Sequence, residues 1–229
     1  QLIVQLNGDD TSFNAAKNLF LKHPQQSEWM QLKPGETPAR VGWNGAAVAD
    51  VTTPFLDADG NVRIVLVGHG TRDADGTVRF GSYTAVELQA QLEEQVFNVL
   101  DQQILHRVQG VRLDMVGCEL VDRHFAERNL GSTLPGQMAD WLVQKTRSMG
   151  IDDAHVSVSA RQYAVRVNDQ GRKEILYQDL TRPADPAQWL SKDDVLLRDV
   201  AHKVEITLDP QTGKPVLRPQ TRELLEFGR

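Results

Sequence analysis

The chain has one cysteine, Cys118, and two apolar segments that each end in a glycine followed by a reactive side chain. Segment 62–67 leads into Gly68-His69, and segment 111–116 leads into Gly117-Cys118. A thiol attacks a carbonyl carbon as its thiolate, and a neighbouring imidazole can accept the thiol proton. If both segments are neighbouring parallel strands, their carboxyl ends meet at the edge of the sheet where ligands bind. The pattern predicts a cysteine nucleophile with a histidine base.

Other groups near this pair are candidates for supporting roles. The backbone N–H groups of Gly70 and Cys118 are candidates for holding the oxyanion of a tetrahedral intermediate. An acid that orients the imidazole is expected after the first predicted strand, where Asp9 and Asp10 stand. Acids in such turns also cap helices, so both residues have a structural alternative. His124 lies just after the cysteine segment and is a weaker candidate for the base.

Each reactive residue also has an explanation without function. A lone cysteine after a strand is more often a small buried hydrophobe, and a lone histidine there is often a turn residue. Equivalent positions at two strand ends favour catalysis. A single cysteine excludes an internal disulfide and a zinc site of several thiolates. No two histidines have zinc-site spacing, so no metal is predicted.

The elements that must position the pair alternate between strands and helices over the first 150 residues. Apolar side chains recur at helical spacing after residue 12, a capping box joins Thr84 and Glu87, and a helix over 137–149 ends at Gly150. This alternation predicts an α/β fold with a mostly parallel sheet and helices on both faces. Later strands around a turn at 168–171 predict an antiparallel extension.

Composition limits the class of protein. The 229 residues are 40% apolar and 24% charged, as in one large globular domain. A net charge of −6 argues against a general nucleic-acid binder. No apolar run is long enough for a membrane span, and no secretion signal opens the chain. We expect a catalytic domain over 1–208 with an insertion at 179–202, a linker or tail over 209–229, and a longer parent chain.

Several blocks resemble a known family. Val67-Gly68-His69-Gly70 and Met115-Val116-Gly117-Cys118 resemble the catalytic blocks of caspase-like cysteine peptidases. Residues 14–24, 81–88 and 116–121 resemble the autoprocessing cysteine protease domain of MARTX (multifunctional autoprocessing repeats-in-toxin) toxins and, more distantly, that of clostridial glucosylating toxins. The resemblance covers about 1–178 and resumes at 203–208. It implies a caspase-like fold with a C-terminal antiparallel β-hairpin flap.

The resemblance also implies a function. Such domains are autoproteolytic cysteine endopeptidases of secreted bacterial toxins. They cut their own parent polypeptide, usually after leucine, in the cytosol of the host cell. Host inositol hexakisphosphate activates them by binding a basic cleft remote from the thiol and ordering the flap. Nucleic acid and membrane are not expected partners of the domain.

The same resemblance implies the activator site. Its candidate residues are basic: Lys22, His23, Arg40, Arg161, Arg172, Lys173 and, more weakly, Lys203. Arg161 stands two positions after Ser159, where the family has arginine. Alternate residues of a strand share a face, so Arg161 is expected to substitute. Charge-assisted hydrogen bonds from several donors suit a ligand with many phosphates.

The sequence is also compatible with two other functions. The chain could be a non-catalytic module that binds inositol phosphate, or a constitutive caspase-like protease without a phosphate ligand. Labelling of Cys118 with and without the ligand separates all three.

Overall fold

The protein is described by a computed structural model that covers residues 1–36, 38–41, 56–98, 107–118, 120, 127–161, 164–177, 186–191 and 203–219. The alternative base His124 and most of the segment 179–202 lie outside these residues.

An eight-stranded sheet forms the centre of the fold, in the order β13-β12-β8-β7-β4-β1-β2-β3. The strands from β8 to β2 are parallel, whereas β3, β12 and β13 run antiparallel to their neighbours. Two small antiparallel sheets, β5-β6 and β9-β10-β11, stand apart from it. In chain order the strands are β1 (Leu2–Gln5), β2 (Glu28–Gln31), β3 (Ala39–Arg40), β4 (Asn61–Val67), β5 (Gly70–Arg72), β6 (Val78–Phe80), β7 (Gly110–Val116), β8 (Val156–Arg161), β9 (Val165–Val167), β10 (Lys173–Tyr177), β11 (Gln188–Leu190), β12 (Lys203–Leu208) and β13 (Pro215–Pro219).

Three α-helices are described, and each begins at a side chain that caps it. Asp9 caps α1 (Asp10–Lys22) by accepting from the Ser12 N–H at 3.0 Å. The predicted capping box of Thr84 and Glu87 begins α2 (Ala85–Leu92), which continues in a π-helical turn, Glu93–Phe97. Thr133 caps α3 (Leu134–Ser148). This start lies before the predicted residue 137 because proline is readily accommodated in a first helical turn.

Short 3₁₀ helices occupy Pro24–Gln26, Glu127–Ser132 and Asp153–His155. None of the described helices is long and apolar enough to cross a membrane.

The two faces of the sheet carry separate cores. One core joins alternate residues such as Leu66 and Leu113 to Leu88 of α2 and Leu142 of α3. The other joins Val65, Val116 and Trp29 to Ala16 and Leu19 of α1. Helices therefore cover both faces, and the predicted α/β fold with a mostly parallel sheet is confirmed.

The C-terminal third adds antiparallel structure to this frame. The predicted turn at 168–171 joins β9 to β10, and β11 extends this hairpin from within the segment predicted as an insertion. Part of the segment predicted as a tail forms β13, because a turn at Asp209–Lys214 with Gly213 at φ +67° returns the chain along β12. The domain limits themselves stay a prediction.

Candidate active site

The segments that follow β4 and β7 remain side by side beyond the sheet. Val67 pairs with Val116, and the Gly68 N–H donates to the Val116 carbonyl at 3.3 Å. A Cβ atom on Gly70 would lie 2.3 Å from the carbonyl oxygen of Cys118. Only glycine permits this approach, and the contact keeps both segments at one edge of the sheet.

His69 is held by groups that follow β1, the strand on the other side of β4. Its backbone N–H donates to Asn7 Oδ1 at 2.9 Å, and its Nε2 lies 3.1 Å from Asp9 Oδ1. Both His69 and Asp9 are roughly half-exposed. The ring is therefore oriented by a carboxylate while it remains open to solvent.

Asp9 has a pKa of about 2. Partial burial alone would raise this pKa, but the hydrogen bond from the Ser12 N–H and the contact with His69 lower it. Of the two candidate acids, Asp9 is the one the structure brings to the imidazole, whereas Asp10 is the first residue of α1. Asp9 thus both caps a helix and contacts the histidine.

Cys118 itself is a free thiol that is partly exposed. β1, β4 and β7 are adjacent in the sheet, so the residues that follow them stand in the order Asp9, His69, Cys118 along one edge. The backbone N–H groups of Gly70 and Cys118 stay predictions for the oxyanion site.

A cavity of about 440 Å³ adjoins this edge. It lies between the β5-β6 hairpin and the first turns of α2 and α3, and Leu120, two residues after Cys118, forms part of its wall. Val78 and Leu134 are apolar neighbours in that wall, and Arg72, Thr84 and Gln137 are polar ones. Within the described part of the chain, no three metal-ligating side chains converge.

A second polar site surrounds Asp114, which lies on β7 and is 1% exposed. Its carboxylate accepts from Arg63 Nε at 2.8 Å, Arg112 Nε at 3.0 Å and Lys203 Nζ at 3.2 Å. The hydroxyl of Ser159 also donates to it. The donors come from β4, β7, β8 and β12, so four neighbouring strands meet at one buried anion.

Two more basic groups, Arg161 and Lys173, interact electrostatically with Asp114. Burial lowers the pKa of Arg161 to about 10 and that of Lys173 well below its ordinary value. Burial likewise lowers the pKa of Lys203 to about 8. Although its own burial would raise it, the pKa of Asp114 is held well below its ordinary value by Lys203, Lys173, Arg63 and Arg112.

We call these five basic residues the cation cluster: Arg63, Arg112, Arg161, Lys173 and Lys203. Three of them were predicted as ligand residues from the sequence. Arg63 and Arg112 were not, although each occupies the third position of an apolar strand six residues before His69 or Cys118. A charged residue inside a buried strand was the signal that could have identified them.

The other predicted ligand residues lie on neighbouring elements. Lys22 ends α1 and His23 follows it, and the turn between β9 and β10 packs there, since a Cβ on Gly171 would lie 3.0 Å from Lys22 Cβ. Arg172 follows that turn and is exposed. These predicted ligand residues therefore lie on two neighbouring elements, the end of α1 and the β9-β10 turn.

Arg40 stands apart on β3, where its Nη1 donates to Glu28 Oε2 at 3.1 Å. Burial raises the pKa of Glu28 to about 7, against the lowering effect of Arg40. The described interactions bring Arg161, Lys173 and Lys203 together around Asp114, whereas the described hydrogen bond of Arg40 is to Glu28 on β2.

Comparison with known proteins identifies relatives of the chain. The profile of the Peptidase C80 family matches residues 1–176. Toxin B of Clostridioides difficile is 24% identical over 236 residues, which cover 98% of this chain and 9% of the toxin. Cytotoxin-L of Paraclostridium sordellii is 24% identical over 94% of this chain and 9% of its own length.

The multifunctional-autoprocessing repeats-in-toxin protein of Vibrio vulnificus is 27% identical over 92% of this chain and 3% of its own length. The chain therefore spans less than a tenth of the curated relatives it matches. The predicted resemblance to toxin autoprocessing domains and the predicted enzyme class are confirmed. The chain belongs to the Peptidase C80 family, whose members are the cysteine peptidases that act as autoprocessing domains of toxins.

Proposed function

We propose that this domain cuts its own parent toxin chain with Cys118 as nucleophile, His69 as general base and Asp9 as the orienting acid. The order of these three residues along adjacent strand ends is the observation that carries the proposal. Asp9 contacts Nε2 of His69, so Nδ1 is the ring nitrogen that exchanges the thiol proton in the proposed reaction. An ionised Asp9 also stabilises the imidazolium that forms when the ring accepts a proton.

The proposed reaction has two stages. His69 takes the thiol proton, and the thiolate attacks the carbonyl carbon of the scissile peptide bond while backbone N–H groups hold the oxyanion. The C–N bond breaks, and His69 gives its proton to the leaving amine. His69 then deprotonates a water molecule, which attacks the thioester carbonyl. The C–S bond breaks and releases the new C-terminal carboxylate, and His69 returns its proton to the sulfur to regenerate the thiol.

The family resemblance is the basis for proposing that the domain cuts after leucine. The cavity beside Leu120 supports it, because Val78, Leu120 and Leu134 give that cavity an apolar wall close to the Cys118 segment. The substrate is the parent polypeptide, and the proposed place of action is the host cytosol after secretion of the toxin.

We propose inositol hexakisphosphate of the host as the activator. The cation cluster supports this choice, because five basic side chains meet there in a protein whose overall charge is −6. The side chains of Arg63 and Arg112 are 46% and 40% exposed, so they present further N–H donors to solvent. Lys22, His23 and Arg172 extend the positive surface towards the β9-β10 turn, and Arg40 remains a candidate.

Labelling of Cys118 tests the proposal and its alternatives together. A thiol-reactive leucine peptide should label the protein only when inositol hexakisphosphate is present, and Cys118→Ala should abolish labelling without unfolding the protein. His69→Ala should also abolish it, whereas the exposed His155→Ala serves as the matched control. Labelling without ligand would favour a constitutive protease, and no labelling despite ligand binding would favour a non-catalytic module.

A further inference from the structure

Asp114 is an unusual residue to find at a site for a polyanion. A carboxylate repels phosphate, and this one is buried beneath the cation cluster rather than at its rim. It nevertheless accepts hydrogen bonds from four side chains on four strands. The role of Asp114 therefore lies in its effect on the basic side chains of the cation cluster.

The arginines show how the carboxylate can share donors with a ligand. Arg63 and Arg112 both turn their Nε edge towards Asp114, at 2.8 and 3.0 Å. An arginine has five N–H donors in a rigid fork, so the outer donors of these two partly exposed side chains remain available to solvent or to an anion. Asp114 thus holds the cluster from the sheet side and leaves its outer side open.

Among the residues that the structure describes, the charges of the site do not balance in the free protein. Five basic side chains face Asp114, and Glu205 of β12 adds one more carboxylate near Arg112. Burial of Lys203 and Arg161 makes this excess costly, because a buried charge without a partner is strongly destabilising. Removal of the one buried anion would leave those cations to repel one another.

We infer that Asp114 is the internal counter-anion of the cation cluster and that it holds the cluster together while no external polyanion is bound. The inference depends on the proposed function only for the identity of the ligand. Asp114 is a positioning residue, since it acts through the cations and not on the ligand itself. A bound polyanion takes over part of its role, so the protein needs Asp114 less in the bound state than in the free state.

The test compares melting temperatures of Asp114→Asn and wild type, each with and without inositol hexakisphosphate. Asparagine keeps the size and an acceptor oxygen but removes the charge. We expect the free variant to melt roughly 10 °C below wild type, as for other broken buried ion pairs. Saturating ligand should recover at least half of this deficit. Asp153→Asn, which breaks the exposed pair with Arg147, is the matched control and should change little.

A deficit of equal size with and without ligand would overturn the inference, because an ordinary structural carboxylate is needed equally in both states. If the ligand fails to stabilise wild type, the proposed activator is wrong, and a ligand-free experiment then decides about Asp114.

That experiment removes a second charge. Asp114→Asn combined with Lys203→Met should melt closer to wild type than Asp114→Asn alone, because loss of a buried cation compensates for loss of the buried anion. Asp114→Asn combined with Lys145→Met is the control, since Lys145 pairs with Glu93 of the π-helical turn at 2.8 Å. A deficit that Lys203→Met fails to reduce, or that Lys145→Met reduces equally, would contradict a counter-anion. If Asp114→Asn alone does not fold, recovery of folded protein in the first double variant is the measurement.

Discussion

Nε2 of His69 lies 3.1 Å from Oδ1 of Asp9, although the two residues are 60 positions apart in the chain. The contact joins the carboxyl ends of two adjacent parallel strands, and the next strand in the sheet leads to Cys118. Asp9 also caps α1, so the same carboxylate fixes the start of a helix and the orientation of a ring. This double use leads to the first prediction.

Asp9→Asn should reduce the rate of Cys118 labelling by the leucine peptide about a hundredfold, a typical value for disturbed acid–base assistance. Asparagine is as good a helix cap as aspartate, so the melting temperature should change little. Asp10→Asn is the matched control and should label at the rate of wild type. Equal loss of rate in both variants would mean that the charge of the turn matters and that the contact with His69 does not.

Gly70→Ala should destabilise the protein by about 1–3 kcal/mol and slow Cys118 labelling, because the new Cβ would overlap the Cys118 carbonyl oxygen. Thermal unfolding and labelling rates measure the two effects. Gly131→Ala is the control, since a Cβ there would meet nothing within 4 Å. An alanine variant at position 70 with normal labelling would show that the two segments need not touch.

Arg63→Gln and Arg112→Gln should each weaken binding of inositol hexakisphosphate roughly tenfold, as expected for the loss of a charge-assisted hydrogen bond. Isothermal titration calorimetry measures the effect. Arg147→Gln removes an exposed arginine that pairs with Asp153 and should leave affinity unchanged. If all three variants lose affinity equally, only general electrostatic attraction is involved, and the ligand does not occupy the cation cluster.

The lowered pKa of Lys203 leads us to expect that ligand affinity depends on pH. Its pKa is lowered to about 8 from an ordinary 10.5, so the charged form costs stability at and below neutral pH, and this cost disappears as the pH rises from about 8 to 10.5. A polyanion favours the charged form. Affinity for inositol hexakisphosphate should therefore fall as the pH rises above about 8, by up to tenfold per pH unit.

Calorimetry over pH 6.5 to about 9.5 checks this dependence. Lys203→Arg should flatten the profile, since arginine keeps its charge throughout this range. A profile that Lys203→Arg leaves unchanged would assign the dependence to another group, such as Lys173, whose pKa burial also lowers.

Features that depend only on residues close together in the chain were predictable from the sequence. The apolar runs of β4 and β7 identify buried strands, and each is followed within two residues by its reactive side chain, so Cys118 and His69 stand out without any structure. The capping box at Thr84 and Glu87 predicts the start of α2 because its donors and acceptors lie within one turn. The strand at Gln188–Leu190 was missed, since three residues in a segment with two prolines give no periodic signal.

The cation cluster was only partly predictable for the opposite reason. Arg63, Asp114 and Lys203 are 51 and 89 positions apart where they meet. Nothing in a single strand shows that its charged side chain will find a partner on another strand. Arg161, Lys173 and Lys203 were predicted by resemblance to a family, whereas Arg63 and Arg112 joined the site only when the register of β4 and β7 placed them above Asp114.

The sequence by itself determined the class of fold and singled out Cys118 and His69 as the proposed nucleophile and base, because these depend on the alternation of strands with helices, on one cysteine and on strand-glycine-residue patterns. The tertiary structure brought Asp9 into contact with His69 and placed Asp114 under five basic side chains. Both results follow from sheet order and register, which pair residues far apart in the chain, and local propensity carries no information about such pairs.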